Sequence, residues 1–251
     1  MSESNDPIRL NKYLAMNGIA SRRGADDLVF SGRVSVNGEV AESPGVKVTP
    51  GSDKVLVDGK PVGTPPESNV TIMLNKPTRV VTTASDPQGR KTVMDLLPND
   101  IKAKRPFPVG RLDFFSEGLL LLTTDGDLCH RLTHPRYHLP KDYAVTVRGL
   151  IPGDAIKTME SGMTLEEGEK LAPVKISVKP PKDGKQMMIM TLHQGINRQI
   201  RRMCRDLDLT ILRLKRVRQG PLEIGRLPVG KWKYIDGAEL KELRAAVGLN
   251  S

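Results

Sequence analysis

Apolar residues along the chain fall into short runs with two different periods. Ile8, Leu10 and Leu14, with Tyr13, sit at helical spacing, and Gly18 suits the stop of that helix. Ser21 stands where an N-cap belongs. It precedes a second helix to about Phe30, with Ala25, Leu28 and Val29 on the inner face and Gly32 as its end. The period then shortens to two. Val34 and Val36 alternate with polar neighbours before Asn37-Gly38, a strong hairpin turn, and Val55 and Val57 do the same before Asp58-Gly59. Residues 7–60 therefore read as a small unit of two helices followed by short strands. Pro61 to Ser68 is rich in Pro and Gly, and 61–69 reads as a linker.

From 70 to 247 the pattern predicts a second, larger domain dominated by strands. These are expected at 70–74, 80–83, 119–122, 143–147, 174–178, 187–192, 211–217 and 232–235, with helices near 126–133, 154–161, 196–207 and 237–246. Leu119 to Leu122 is too apolar to face water on either side. The expected fold class is α+β, a small α+β module followed by a larger domain on a mixed, mainly antiparallel sheet with flanking helices.

Charge separates the two segments. Residues 1–64 hold eight basic and eight acidic residues, so the net +10 of the 251-residue chain lies beyond them. Residues 185–235 hold twelve basic against three acidic residues, including Arg198, Arg201, Arg202, Arg205, Arg213, Lys215, Arg216 and Arg218. A one-signed cluster of that kind suits either a solvated face or a polyanionic partner such as nucleic acid. In the neutral first segment, Arg9, Lys12, Arg22, Arg23 and Arg33 all fall in the helical half, so one face there is also basic.

Other classes are not supported. The longest apolar run is far short of the roughly 18 residues of a membrane span, and the first residues, Met1 to Asp6, lack the basic and apolar regions of a secretory signal. Two cysteines cannot build a disulfide framework, and a reducing, cytoplasmic setting is expected. No phosphate-binding glycine loop or serine-hydrolase elbow is present, so no nucleotide cofactor is expected. His130, His134 and His138 share a four-residue spacing, but Pro135 interrupts the helix that would align them, and no metal site is expected.

Gly110-Arg111-Leu112-Asp113 places an acid in a loop directly before the apolar strand, and Arg111, two residues upstream, points the same way if that loop is extended. By itself this is compatible with a surface Arg–Asp pair. Together with Ser116-Glu117-Gly118-Leu119-Leu120-Leu121-Leu122-Thr123, it resembles the catalytic motif of RNA pseudouridine synthases of the RsuA/RluB type. Lys141-Asp142-Tyr143, the basic stretch Asn197 to Met203, Leu212 to Leu222 and Leu227-Pro228-Val229-Gly230 resemble further parts of that family in its order. The first segment resembles the S4-type RNA-binding module through Arg9 to Ala15, Gly18 to Arg23 and Gly32 to Gly38.

The resemblance implies a ribosomal RNA pseudouridine synthase, favouring large-subunit RNA, that needs no cofactor and acts on a structured stem-loop; a monomer is the default expectation, since the sequence does not encode the oligomeric state. It places the catalytic carboxylate at Asp113, its basic partner at Arg201 and the active-site tyrosine at Tyr143. Arg111 becomes a wedge for the space left by an everted base, and Leu212 or Leu214 a support beneath it. Lys76, Lys141, Arg198 and Arg202 join the RNA-binding set, with Arg9, Lys12, Arg22, Arg23 and Arg33 in the S4-like unit. The alternatives are a non-catalytic RNA-binding assembly factor and the same enzyme acting on small-subunit RNA. Two positions depart from the family pattern, Arg79 where a Gly is usual and Ile196 where a basic residue is common, and neither is a residue assigned to chemistry.

Overall fold

The computed structural model describes residues 6–63, 69–137 and 139–249. Most of the linker and His138 lie outside the described residues. The chain divides into two units, one ending at Asn69 and one beginning at Val70. No helix among the described residues is long and apolar enough to cross a membrane.

In the first unit, β1 (Ile8–Arg9) leads into α1 (Leu10–Met16) and α2 (Arg22–Phe30). The Ser21 hydroxyl accepts from the Gly24 amide at 3.1 Å, which caps α2. The strands β2 (Val34–Val36), β3 (Glu39–Val40), β4 (Lys47–Val48), β5 (Val55–Val57) and β6 (Lys60–Pro61) follow. They form an antiparallel sheet ordered β3-β2-β5-β6 and a β1-β4 pair. Asn37 and Gly38 both have positive φ, 53° and 94°, as a twisted two-residue hairpin requires. Leu10, Leu14, Ala25, Val29 and Val34 make the core. Pro61 belongs to this sheet and the Val62 amide bonds to Val55 at 2.9 Å, so the first residues of the expected linker are part of the unit.

The second unit is built on a nine-stranded sheet. Its strands are β7 (Thr71–Lys76), β8 (Phe107–Pro108), β9 (Glu117–Thr123), β10 (Lys141–Arg148), β11 (Lys175–Val178), β12 (Lys185–Leu192), β13 (Ile211–Gln219), β14 (Leu222–Glu223) and β15 (Trp232–Tyr234). The order is β11-β12-β10-β13-β9-β7-β15, and only β13–β9 is parallel. The helices are α3 (Asn99–Ala103), α4 (Gly126–Thr133), α5 (Gly153–Ser161), α6 (Gln199–Asp206) and α7 (Gly237–Ala245). On β9, Leu119 and Leu121 enter one core while Leu120 and Leu122 enter another, so a sheet covered on both faces explains the unbroken leucine run. A third core lies between β10, β12, α5 and α6.

Residues 80–83 do not make the expected strand. Only Val81 forms a bridge, to Thr92. The Thr82 hydroxyl instead donates to the Leu112 carbonyl at 2.7 Å, which anchors the loop before Asp113.

Candidate catalytic cleft

A cavity of 330 Å³ opens beside β10 and β13 and the start of α6. It brings together Arg111, Asp113, Lys141, Tyr143, Arg198 and Arg201, with Leu214 in its wall. Sequence positions from 111 to 214 converge because the loop before β9, the start of β10 and the N-terminal turn of α6 meet where parallel β9 and β13 lie side by side.

Asp113 sits in the turn before β9, with its side chain 30% exposed. The Arg201 Nε lies 3.5 Å from Asp113 Oδ2, and Arg198 Nη1 lies 3.9 Å from the same oxygen. Arg201 is fixed at its far end, where Nη2 donates to the Phe115 carbonyl at 2.8 Å and to the Ser116 hydroxyl at 3.1 Å. Burial pulls the Arg201 pKa down from its usual value, against the opposing pull of the Asp113 carboxylate. Arg198 and Arg201 are three residues apart, so they lie on one side of the start of α6. Arg198 has φ of 50° in the left-handed region, and α6 begins only at Gln199, three residues later than expected.

The motif residues after Asp113 have physical explanations. Ser116 accepts from Arg201. Glu117, almost buried, accepts from Arg213 Nε at 2.6 Å. Gly118 has φ of 105°, and a Cβ there would stand 2.2 Å from the Arg216 carbonyl oxygen, so only glycine lets β13 approach this closely.

Lys141 lines the cavity and donates to the Leu139 carbonyl at 3.1 Å. Burial, and then the nearby Arg216, lower its pKa to about 8. Tyr143 follows a register shift in β10 and packs between two of the cores. Polar groups not assigned to the site from sequence also belong here. Gln199, Gln219 and Arg216 line the cavity, each nearly buried, and the Gln199 amide, Gln219 Oε1 and Arg216 Nη2 have no hydrogen-bond partner within the protein. They lie inside the basic stretches on α6 and β13, but nothing in the spacing separates the buried members from the exposed arginines beside them.

Three expectations need correction. Lys76 was expected on the RNA-binding surface but is fully buried. Its ammonium donates to the carbonyls of Pro77, Asp113 and Ser116 at 3.0, 3.1 and 2.9 Å. Two of its protons hold the Asp113–Ser116 turn and the third bonds the neighbouring Pro77, which leaves none for a phosphate. Leu212 is 42% exposed and does not line the cavity, whereas Leu214 does. The pairing of β10 with β13 passes from Arg213 to Ile211, so Leu212 is the extra residue of a bulge and is turned out of the alternation. Arg202, one step around α6 from Arg201, pairs with Glu167 at 3.1 Å and Glu169 at 2.6 Å instead of entering the cleft.

The two departures both reach the site's surroundings. Arg79 adopts φ of 62°, and its amide donates to the Phe114 carbonyl at 2.7 Å, one residue beyond Asp113. Ile196 lines the cavity and packs on the core beneath it. Among the expected S4-type contacts, Arg9, Arg22 and Arg23 are exposed, Lys12 is half-buried and Arg33 is exposed but paired with Asp58, Nε to Oδ1 at 2.8 Å. The His130 and His134 rings lie 5.2 Å apart between centroids, tilted by 53°, and no group of three His, Cys, Asp or Glu suited to a metal occurs among the described residues.

Comparison with known proteins places this geometry. Residues 70–206 match the family model of RNA pseudouridylate synthase, and residues 8–54 match the S4 domain. An uncharacterized RNA pseudouridine synthase of Aquifex aeolicus is 44% identical over 243 residues, covering 96% of each chain. The ribosomal large subunit pseudouridine synthase B of Bacillus subtilis is 41% identical over 239 residues, covering 94% of this chain and 96% of its own. A crystal structure of a pseudouridylate synthase superposes with a TM-score of 0.67 at 27% identity, covering 94% of this chain and 99% of that one.

Proposed function

This chain belongs to the RNA pseudouridylate synthase family, with an S4 domain ahead of the synthase domain, and from that premise we propose that it isomerises a uridine of large-subunit ribosomal RNA using Asp113 as the catalytic carboxylate. The observation that carries the reading is the convergence of Asp113, Arg201 and Tyr143 on one cavity, with Arg201 paired to Asp113 at 3.5 Å. The names of the B. subtilis relative and of a Pseudomonas aeruginosa relative 38% identical to this chain favour the large subunit.

The reaction breaks the bond between N1 of uracil and C1′ of the ribose, turns the base and joins C5 to C1′. The proton on C5 leaves and N1 gains one, so atoms balance without a redox partner or energy donor. The Asp113 carboxylate serves the sugar, where positive charge develops as the glycosidic bond breaks. Arg201, fixed by Phe115 and Ser116, holds that carboxylate aimed at the cleft. The Tyr143 ring stacks on the everted uracil, and its hydroxyl lies where C5 gives up its proton. Leu214 packs under the base and Arg111 fills the stack it has left. The buried, unpartnered groups of Gln199, Gln219 and Arg216 suit a ligand that alternates N–H and C=O groups around its edge, as uracil does. Exposed Arg9, Arg22 and Arg23 of the S4 domain hold phosphates of a structured stem-loop.

The test uses the full chain and an unmodified transcript of large-subunit ribosomal RNA, with pseudouridine mapped by carbodiimide modification. Asp113→Asn is expected to bind the RNA as the native chain does and to form no pseudouridine. Undiminished isomerisation by that variant would falsify the catalytic assignment. Modification of small-subunit RNA alone would move the substrate without moving the chemistry.

A further inference from the structure

Two aromatic rings stand beside the catalytic acid with no role in the cleft. Phe114 and Phe115 follow Asp113 directly, are 36% and 58% exposed, and are not among the residues lining the cavity. The chain has only four phenylalanines, so placing two at the surface of one loop leaves much apolar area in water for no packing gain. Their rings meet edge to face, with centroids 5.0 Å apart and planes at 83°, so each limits the rotation of the other. Their backbone is pinned as well. The Phe114 carbonyl accepts from the Arg79 amide at 2.7 Å and the Phe115 carbonyl from Arg201 at 2.8 Å. The result is a rigid, exposed aromatic step attached to the same guanidinium that pairs with Asp113.

We infer that Phe115, backed by Phe114, is a stacking platform for an unpaired RNA base next to the target uridine. A base is the favoured occupant because the step is continuous with the cleft and flanked by cations. Arg198 lies 3.9 Å from Asp113 with its side chain half exposed, and Arg79, also exposed, is joined to the loop through its amide bond to the Phe114 carbonyl. An aromatic face beside positive charge is the arrangement that holds single-stranded nucleic acid, since every base has a π-face and every nucleotide a phosphate. Everting a uridine also unstacks its neighbour, and a ring at the mouth of the cleft gives that neighbour a new surface. The inference rests on the RNA-modifying reading above and adds a binding position to it.

The experiment measures binding and single-turnover kinetics of the native chain, Phe115→Ala and Phe115→Trp on an RNA fragment spanning the mapped uridine. Abasic nucleotides are introduced on either side of that uridine in parallel fragments. Phe115→Ala is expected to lower affinity about tenfold, as lost base–aromatic stacking does, while Phe115→Trp retains it. One abasic position should weaken the native chain by a similar factor and leave Phe115→Ala unchanged. Native affinity in Phe115→Ala, or losses that multiply when the abasic site and the alanine are combined, would overturn the platform. Failure of the native chain to form pseudouridine strikes the functional reading instead, and the binding comparison on the same fragment decides the platform in either case.

Discussion

The buried ammonium of Lys76 donates to the carbonyl of Asp113 at 3.1 Å and, through a second proton, to that of Ser116 at 2.9 Å. The two carbonyls bracket the turn that presents the Asp113 carboxylate, the proposed catalytic group, so a lysine at the end of β7 fixes the geometry of an acid 37 residues away. Replacing Lys76 with Met keeps the length of the side chain and removes the donors. Both carbonyls then lose a charged partner in a buried setting. Displacement of a catalytic group by about 1 Å can cost about 100-fold in rate. Lys76→Met is therefore expected to lose about that much kcat with little change in KM, in a protein whose circular dichroism is native. A native kcat in the folded variant would show that the clamp is dispensable.

The same lysine sets an alkaline limit. Burial lowers its pKa from 10.5 to about 8, against the attraction of Asp113 and Glu117. As pH rises through about 8, Lys76 loses a proton and can donate to only two of its three carbonyl partners, and kcat should fall. Stability moves the other way. Between about 8 and 10.5 the unfolded chain keeps a proton that the folded chain has released, so the contribution of Lys76 to folding free energy rises with pH across that window. Lys141, also lowered to about 8, adds a stability term of the same sign. A pH–rate profile run beside a denaturant titration separates the two effects. Lys141→Met should keep the alkaline fall in rate, and loss of the fall in that variant would assign it to Lys141.

How far the sequence reveals this site depends on whether a position carries a local pattern. The leucines of β9 read as a strand covered on both faces, and Asn37-Gly38 as a hairpin, because period and turn chemistry are local. Asp113, Tyr143 and Arg201 were found through motif resemblance, and their meeting in one cavity is a property of the sheet order. The resemblance puts Lys76 in the RNA-binding set, and nothing in one dimension shows three carbonyls converging on that lysine. Leu212 and Leu214 are equivalent in sequence and differ only through a bulge that pairing with β10 creates. Residues 80–83 carry strand propensity, yet Thr82 gives its hydroxyl to the Asp113 loop. Gln199, Gln219 and Arg216 fall inside the basic, family-like stretches, but their burial in the cavity wall has no one-dimensional signal.

Arg79 occupies left-handed backbone with φ of 62°, a conformation that costs a residue with a Cβ roughly 1–2 kcal/mol. Glycine relieves that strain but adds freedom to the unfolded chain, which returns about 0.4–1 kcal/mol. The net expectation for Arg79→Gly is a stabilisation of about 0.5–1 kcal/mol, or a rise in Tm of about 1–4 °C for a chain of this size. Calorimetry checks it. A lower Tm would mean that the exposed Arg79 side chain contributes more than its backbone strain costs.

Gly118 faces the opposite situation. It lies on β9 opposite Arg216 of β13, at the parallel pairing that joins the two halves of the sheet. An added Cβ would meet the Arg216 carbonyl oxygen at 2.2 Å and its amide nitrogen at 2.8 Å, both backbone atoms that cannot swing aside. The φ of 105° adds strain of its own. Gly118→Ala must therefore separate β9 from β13, which displaces Asp113 on one side and Leu214 and Arg216 on the other. A loss of about 3 kcal/mol or more in denaturant titration is expected, on the scale of the larger single-site effects. Any folded fraction should also have lost turnover, because the carboxylate and the wall of the cavity no longer face each other at their native spacing. A variant with native stability and native rate would show that the two strands have room to yield, contrary to the packing described above.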